Sequence, residues 1–239
     1  MKIQSSNTSF NGTRLKYQKL DQIMRNSNSL FPRISPYRVN MKANQRCIPQ
    51  HFFGWIQKIG DIVDENRKKV SSKDFINIIK NDLENVKNSK LGDCGESSSI
   101  AIASLIANGF KNFKIGLLLF DAEFKQKNND ENIIKRTYNT THEMVVLNLD
   151  EDAKGENTKT YGKNVIILDP WICYCGNLQK AFERFYEVFM NGTRKIENSN
   201  GYECKYRPRL EFYDPKIEIT DNIIKDFRDN YPELIINDK

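Results

Sequence analysis

The chain has 239 residues and a mass of 27.9 kDa, so it is long enough to bury a substantial core and is not a disulfide mini-protein. Its 14 Phe, 10 Tyr and 2 Trp exclude a fully disordered chain, although a mean hydropathy of −0.65 indicates polar insertions. The formal charge of +6 is uneven: residues 1–50 carry nine Lys or Arg and one Asp, a net charge of +8, which leaves −2 on residues 51–239. We interpret these two parts as a basic N-terminal arm and a single domain.

Cysteine usage and apolar runs indicate the compartment. Five cysteines are an odd and sparse set for this length, which indicates free thiols in a reducing environment. The first 30 residues lack the apolar segment of a classical signal peptide, and no apolar run approaches membrane-spanning length. We therefore expect a cytoplasmic protein without a transmembrane segment.

The elements predicted before residue 110 are helices. Prolines in residues 1–50 favour an extended arm that holds at most one short helix. Three amphipathic or apolar stretches follow, each with helical spacing. The predicted helices are a short one around Tyr17, Leu20 and Met24, one with Phe52, Ile56, Ile59 and Val63 on one face, one from a Ser71/Ser72 cap through Val86, and a core helix from Cys94 to the C-cap signal Asn108-Gly109.

The rest of the chain predicts mostly strands. The polar segments Lys125–Thr137 and Asp150–Lys163 are expected to be surface loops or hairpin extensions. Helices that precede a sheet, with no internal repeat, indicate an α+β fold. The remaining predicted elements are strands at Phe113–Phe120, Glu143–Leu149 and Val165–Asp169, a helix over Asn177–Met190, a strand at Arg209–Tyr213 and a capped helix from Thr220 to Arg228.

Three residues in chain order suggest thiol chemistry. Cys94 lies in Gly92-Asp93-Cys94-Gly95-Glu96, at a predicted helix start, where unsatisfied N–H groups and the helix dipole favour a thiolate. His142 opens one predicted strand, and Asp169 ends the next. An acyl-transfer site needs a thiolate, an imidazole that moves protons, and an acid that orients the imidazole. Whether the strands bring His142 and Asp169 together depends on their register, which the sequence does not define.

These motifs resemble the core of the transglutaminase-like superfamily, a branch of the papain-like cysteine enzymes. The resemblance covers residues 88–172 and includes the Gly-Asp-Cys-Gly-Glu run, a helix with Ala and Leu that ends at Gly109, the strand His142, and Leu168-Asp169-Pro170-Trp171. It implies a core helix that starts at the nucleophile Cys94, and an antiparallel sheet that carries the general base and acid His142 and the orienting residue Asp169. It also implies a reaction that needs no metal or organic cofactor.

The resemblance suggests a substrate class and one further site residue. We expect a protein or peptide substrate whose amide bond is attacked by a cysteine protease, a glutamine deamidase or a transglutaminase. Papain-like proteases place an oxyanion-hole amide side chain six residues before the cysteine, and Asn88 occupies that position here. The Asn, Lys and Ile-rich character of the chain also resembles bacterial effectors that modify host proteins, which implies delivery into a host cytosol.

Other interpretations remain open from the sequence. The domain is alternatively a non-catalytic binding module whose basic arm docks an acidic protein, while nucleic acid is a less expected partner. A third possibility is a Cys-His-Asp acyltransferase with a small donor such as acetyl-CoA. Trp171 either walls the cleft or packs in the core. A zinc site formed from Cys173, Cys175, Cys204 and His51 fits structural zinc spacing poorly.

Overall fold

We describe a computed structural model of the chain, which covers residues 10–31, 58, 60–65, 68, 74–111, 113–127, 133–150, 153–154, 157–193, 203–213 and 218–236. The fold is α+β, as the sequence predicted, with helices and one antiparallel sheet. The helices are α1 (Phe10–Leu30), α2 (Phe75–Ser89), α3 (Cys94–Ala107), α4 (Leu178–Thr193) and α5 (Asp221–Asn230), and the strands are β1 (Phe113–Lys127), β2 (Ile133–Leu147), β3 (Ile166–Asp169), β4 (Tyr174–Gly176) and β5 (Glu203–Tyr213). Residues 60–65 are also helical, in the segment where the second predicted helix was expected to end.

The sheet has the order β4-β3-β2-β1-β5, and all its pairs are antiparallel. β1 and β2 form a hairpin whose pairing extends to Lys127 opposite Ile133. Much of the polar segment Lys125–Thr137 is therefore strand, in agreement with the hairpin extension that was one of its two expected forms. A polar strand segment lacks the apolar alternation by which strands are recognised, so the ends of β1 and β2 could not be predicted well from the sequence.

Alternation along β2 divides the interior into two cores. Val145 and Leu147 face the large core, which lies between the sheet and helices α1, α2, α3 and α5. Met144 and Val146 face the small core on the opposite side of the sheet. The small core comprises Leu118, Met144, Val146, Tyr161, Val165, Ile167, Trp171, Ile172, Ala181, Phe182 and Phe185, the last three from α4.

Helix α3 is the centre of the large core. Every residue from Glu96 to Ala107 is buried, and the helix is built mainly from Ala, Ser and Ile, so neighbouring helices can approach it closely. Two of its serines have nearby acceptors: Ser99 Oγ donates to Asp82 Oδ2 of α2 at 2.6 Å, and Ser104 Oγ donates to the carbonyl of Ile100 at 2.9 Å, whereas Ser98 Oγ has no hydrogen-bond partner among the described residues. Buried hydroxyls with such partners avoid most of the desolvation cost of burial.

The two ends of α3 are defined as the sequence predicted. At its start, Glu96 Oε2 accepts the N–H of Asp93 at 2.7 Å, which is half of a capping box. At its end, Gly109 takes a left-handed conformation with φ +83°. The C-terminal segment also binds this end, because Asn108 Nδ2 donates to the Leu234 carbonyl at 2.8 Å and Asn108 Oδ1 accepts Ile236 N at 3.0 Å. Arg228 Nε of α5 donates to the Ala107 carbonyl at 2.8 Å.

Two helix starts differ in how well they were predicted. Helix α2 begins with Asp74 as its N-cap, whose Oδ1 accepts Ile76 N at 3.0 Å, and not from the predicted Ser71/Ser72 cap. An aspartate accepts this bond as well as a serine does, and Ser71, Ser72 and Asp74 all lie within four positions of the sequence. Helix α5 begins at the predicted cap Thr220.

Helix α1 is longer than the short helix predicted around Tyr17, Leu20 and Met24, and its apolar side packs into the large core. Leu20, Ile23, Met24 and Phe31 are buried there. Residues 10–31 are therefore not extended, since the i, i+3, i+4 spacing of these side chains places them on one helical face. Residues 32–50 lie outside the described residues, so the arm boundary predicted at residue 50 stays a prediction. Within the described ranges, none of the helices combines the length and apolar character that a membrane crossing requires.

Replacing Ile23 by Ala tests the packing of α1. Ile23 is fully buried, so the truncation leaves a cavity, and we expect the free energy of unfolding to fall by about 2 to 5 kcal/mol in urea denaturation. Gln22 is exposed on the same helix, and Gln22→Ala should change stability by less than about 0.5 kcal/mol. Equally small effects of both substitutions would contradict the burial of α1.

Candidate active site

His142 and Asp169 form a buried pair on the small-core face of the sheet. The register sets Val145 opposite Leu168, so Asp169 lies beside Met144 and diagonal to His142 on the same face. His142 Nε2 and Asp169 Oδ2 are 2.6 Å apart, and the two side chains are only 2% and 1% exposed. The register that the sequence left undefined thus brings the predicted imidazole and acid together.

The turn after β3 holds the other oxygen of Asp169. Asp169 Oδ1 accepts the backbone N–H of Trp171 at 3.0 Å and that of Ile172 at 3.2 Å. Such a turn, in which a carboxylate bonds the backbone two residues on, is typical of Asp before Pro. Both carboxylate oxygens are therefore engaged, and Asp169 is fixed in the orientation that His142 requires.

Cys94 is the third residue of the site, and it belongs to a helix that packs mainly on the opposite face of the sheet. It is the first residue of α3, its side chain is half-buried, and it packs against the small core although most of α3 lies in the large core. Cys94 is near enough to His142 to contribute to the raised pKa of that imidazole. Nε2 of His142 faces Asp169, so Nδ1 is the ring nitrogen that remains available to a thiol. Cys94, His142 and Asp169 are therefore neighbours in the fold.

The charge state of His142 follows from its neighbours. Burial lowers the pKa of His142, but the charge and hydrogen bond of Asp169, together with those of Cys94, outweigh it and raise the pKa from 6.5 to about 10. His142 is therefore an imidazolium at neutral pH. An imidazolium is a proton donor, and an acyl-transfer site needs such a donor beside its thiol.

Two aromatic rings enclose the imidazole. Phe185 of α4 stacks on His142 with ring centroids 4.6 Å apart and an interplanar angle of 23°, and Trp171 is tilted at 5.0 Å and 49°. Both rings are themselves buried. They exclude water from the bond between His142 and Asp169, and their faces also favour a cation at this place.

Trp171 also reaches the start of α3. Its Nε1 donates to Asp93 Oδ1 at 2.9 Å, which joins the turn after β3 to the residue that precedes Cys94. Of the two interpretations of Trp171, the structure therefore shows a buried side chain that also borders the candidate site. This contact and the stacking of Phe185 were missed by the sequence analysis. An acid before the cysteine and an aromatic after Asp-Pro were their only visible signals.

Asn88, the predicted oxyanion donor, is not joined to the site by a hydrogen bond among the described residues. It is exposed in the last turn of α2, and no hydrogen bond from it to Cys94 or His142 occurs within the described part of the chain. Its role as an oxyanion donor stays a prediction. The backbone N–H of Cys94 belongs to the first turn of α3, where amides lack an acceptor in the helix, so it is the donor that the fold itself provides.

The other described cysteines differ from Cys94. Cys173 is exposed in the turn before β4, and Cys175 lies on β4. Burial and, less strongly, the charge of Asp21 raise the pKa of Cys175 to about 12, so it stays a thiol at neutral pH. Of the zinc alternative, His51 and the side chain of Cys204 lie outside the described residues. Among the side chains that are described, no group of three or more His, Cys, Asp or Glu is placed to hold a metal ion.

Comparison of the chain with protein-family models, curated proteins and solved structures finds no match. The geometry of the site residues is therefore the basis for assigning this protein to a class.

The charge of His142 can be measured directly, because the chain holds only two histidines. In a His51→Gln protein, the single imidazole signal in a proton NMR titration should remain that of an imidazolium until the pH approaches 10. Asp169→Asn removes the negative partner while burial remains, so the pKa should return toward or below 6.5. An ordinary titration near pH 6.5 in the His51→Gln protein would contradict the pairing.

The same pairing predicts how stability depends on pH. Since the folded-state pKa of His142 is raised above its unfolded value of 6.5, its contribution is fully present below pH 6.5 and is lost as pH rises through about 10. We expect the free energy of unfolding to fall over this interval by up to about 5 kcal/mol. The matched protein Asp169→Asn should lack this component, as measured by urea denaturation at several pH values. Parallel curves for both proteins would rule out the coupling.

Proposed function

We propose that the chain is a thiol-dependent enzyme that attacks an amide bond of a protein or peptide through an acyl-thioester on Cys94. We also propose that its core is of the papain and transglutaminase-like type. One observation carries the proposal: the buried Asp169 lies 2.6 Å from His142, and a cysteine at a helix N-terminus lies near the same imidazole. A nucleophile, a proton carrier and an orienting acid are thus neighbours in the order that acyl transfer requires.

Acylation uses each of these groups once. The Cys94 thiolate attacks the carbonyl carbon, a C–S bond forms, and the oxygen takes the negative charge beside the backbone N–H of Cys94. The imidazolium of His142 then gives its proton to the amide nitrogen. The C–N bond breaks, and the amine or ammonia leaves with that proton. The product is an acyl-enzyme with a neutral His142.

Deacylation reverses the proton path. Neutral His142 takes a proton from the acceptor, whose oxygen or nitrogen attacks the thioester carbon, and the C–S bond breaks to restore the thiolate and the imidazolium. Water attacking an acyl group from a backbone amide makes the enzyme a protease, and water attacking one from a glutamine side chain makes it a deamidase. An amine acceptor makes it a transglutaminase. We favour protease or deamidase, because the sequence has no feature that suggests an amine-binding site.

The reactivity of Cys94 tests the proposal against a non-catalytic binding module. Cys173 is exposed whereas Cys94 is half-buried, so exposure alone predicts faster alkylation of Cys173. A thiolate paired with an imidazolium predicts the opposite, and with limiting iodoacetamide at neutral pH we expect Cys94 to react at least about tenfold faster. The sites are resolved by peptide mass spectrometry. Faster labelling of Cys173, or an unchanged Cys94 rate in His142→Ala, would sink the proposed mechanism.

The reaction type is tested with wild type, Cys94→Ala and, as a matched control, Cys173→Ala. Each is incubated with a mixture of cellular proteins, and substrates are read by mass spectrometry for new termini, for crosslinks, and for a gain of about 1 Da per deamidated glutamine. We expect one of these changes with wild type and Cys173→Ala, and none with Cys94→Ala. A modification that persists with Cys94→Ala would exclude Cys94 as the nucleophile.

A further inference from the structure

We infer that Asp93 is a positioning residue of the site: its carboxylate holds the indole of Trp171 against His142 and thereby keeps the imidazole beside Cys94. The inference rests on the proposed function, since it concerns the geometry of the same nucleophile and imidazole. Asp93 acts through Trp171.

The contact joins the start of α3 to the turn after β3. Asp93 is the N-cap position of α3, and Trp171 lies in the turn after β3, 78 residues later. The bond between Trp171 Nε1 and Asp93 Oδ1 is 2.9 Å long, and Trp171 is only 5% exposed. A hydrogen bond to a carboxylate in a water-poor place is stronger than one to a neutral acceptor.

Trp171 is held at both of its ends. Its backbone N–H donates to Asp169 Oδ1 at 3.0 Å, and its indole N–H donates to Asp93. Between these two anchors the ring lies 5.0 Å from the His142 ring. Phe185 stacks on His142 with ring centroids 4.6 Å apart, so the imidazole is enclosed by two rings, and Trp171 is bound to the segment that carries the nucleophile.

The charge of Asp93 is compatible with its place at the start of α3, where the helix dipole favours a carboxylate. A carboxylate next to Cys94 opposes formation of a thiolate, and an asparagine would serve as an N-cap equally well. The N-terminal end of α3 and the imidazolium of His142 both offset that repulsion. The carboxylate therefore remains compatible with a reactive thiol, and in return it is the stronger acceptor for the indole.

The probe is iodoacetamide, and the readout is the alkylation rate of Cys94 at neutral pH in the full chain. Trp171→Phe keeps an aromatic ring over His142 and removes the hydrogen bond to Asp93. We expect the alkylation rate of Cys94 to fall roughly tenfold in this variant. Asp93→Ala removes the same bond and should slow the reaction too. Because both substitutions break one bond, the double variant should be little slower than Trp171→Phe alone.

Asp93→Asn is the conservative variant, since it keeps an oxygen acceptor for the indole. It should retain the wild-type rate within about threefold, which a purely charge-based role would not allow. The pKa of His142, followed by NMR in the His51→Gln background, should fall in Trp171→Phe and stay raised in Asp93→Asn. A residue that only capped α3 would also tolerate asparagine, but its loss would add to that of Trp171→Phe in the double variant.

Three results would overturn the inference: an unchanged rate in Trp171→Phe, multiplicative losses in the double variant, or an Asp93→Asn protein as slow as Asp93→Ala. If Asp93→Ala fails to fold, Asp93→Ser replaces it, because serine caps a helix but is too short to reach the indole; labelling as slow as in Trp171→Phe supports the inference, and the wild-type rate overturns it. His142→Ala separates the two proposals. If it abolishes fast labelling while Trp171→Phe does not, only the positioning role fails.

Discussion

The burial of one helix on all sides is the constraint on which the rest of the structure depends. Because α3 has no exposed face from Glu96 to Ala107, it must be covered by the sheet and by other helices, and α1, α2 and α5 supply that cover. Its short side chains allow these neighbours to come close. The start of α3 is consequently fixed in three dimensions by the largest core of the protein, and Cys94 is the residue placed there.

The candidate site lies where the two cores meet. The sheet contributes His142 and Asp169 from its small-core face, whereas α3 packs on the other face and contributes only its first residue. A thiol can be approached from outside at this boundary while the imidazole and the carboxylate remain buried. This division suits the acyl transfer that we propose, since a nucleophile must meet a substrate but its partners need a dry, fixed environment.

The site residues could be recognised from local sequence signals, whereas the contacts among them could not. Gly92-Asp93-Cys94, the residues around His142 and the strand end at Asp169 could be recognised because each is a local pattern of residue types, although His142 lies inside β2 and does not open it as predicted. The diagonal pairing of His142 with Asp169 depends on strand register, and the stacking of Phe185 depends on how α4 packs, so neither is encoded in any short segment. Likewise, α1 was underestimated because its polar residues and neighbouring prolines conceal an apolar face that only the completed core reveals.

The hydrogen bonds at the far end of α3 have a consequence for how the protein is made. Asn108 and Ala107 bind partners at Leu234, Ile236 and Arg228, residues that leave the ribosome long after Cys94, His142 and Asp169. The helix that carries the thiol thus acquires its last bonds only when nearly all of the described chain has been synthesised. A nascent polypeptide would therefore contain all three site residues before they could be fixed in place. The candidate site would become rigid only once the fold around it is finished.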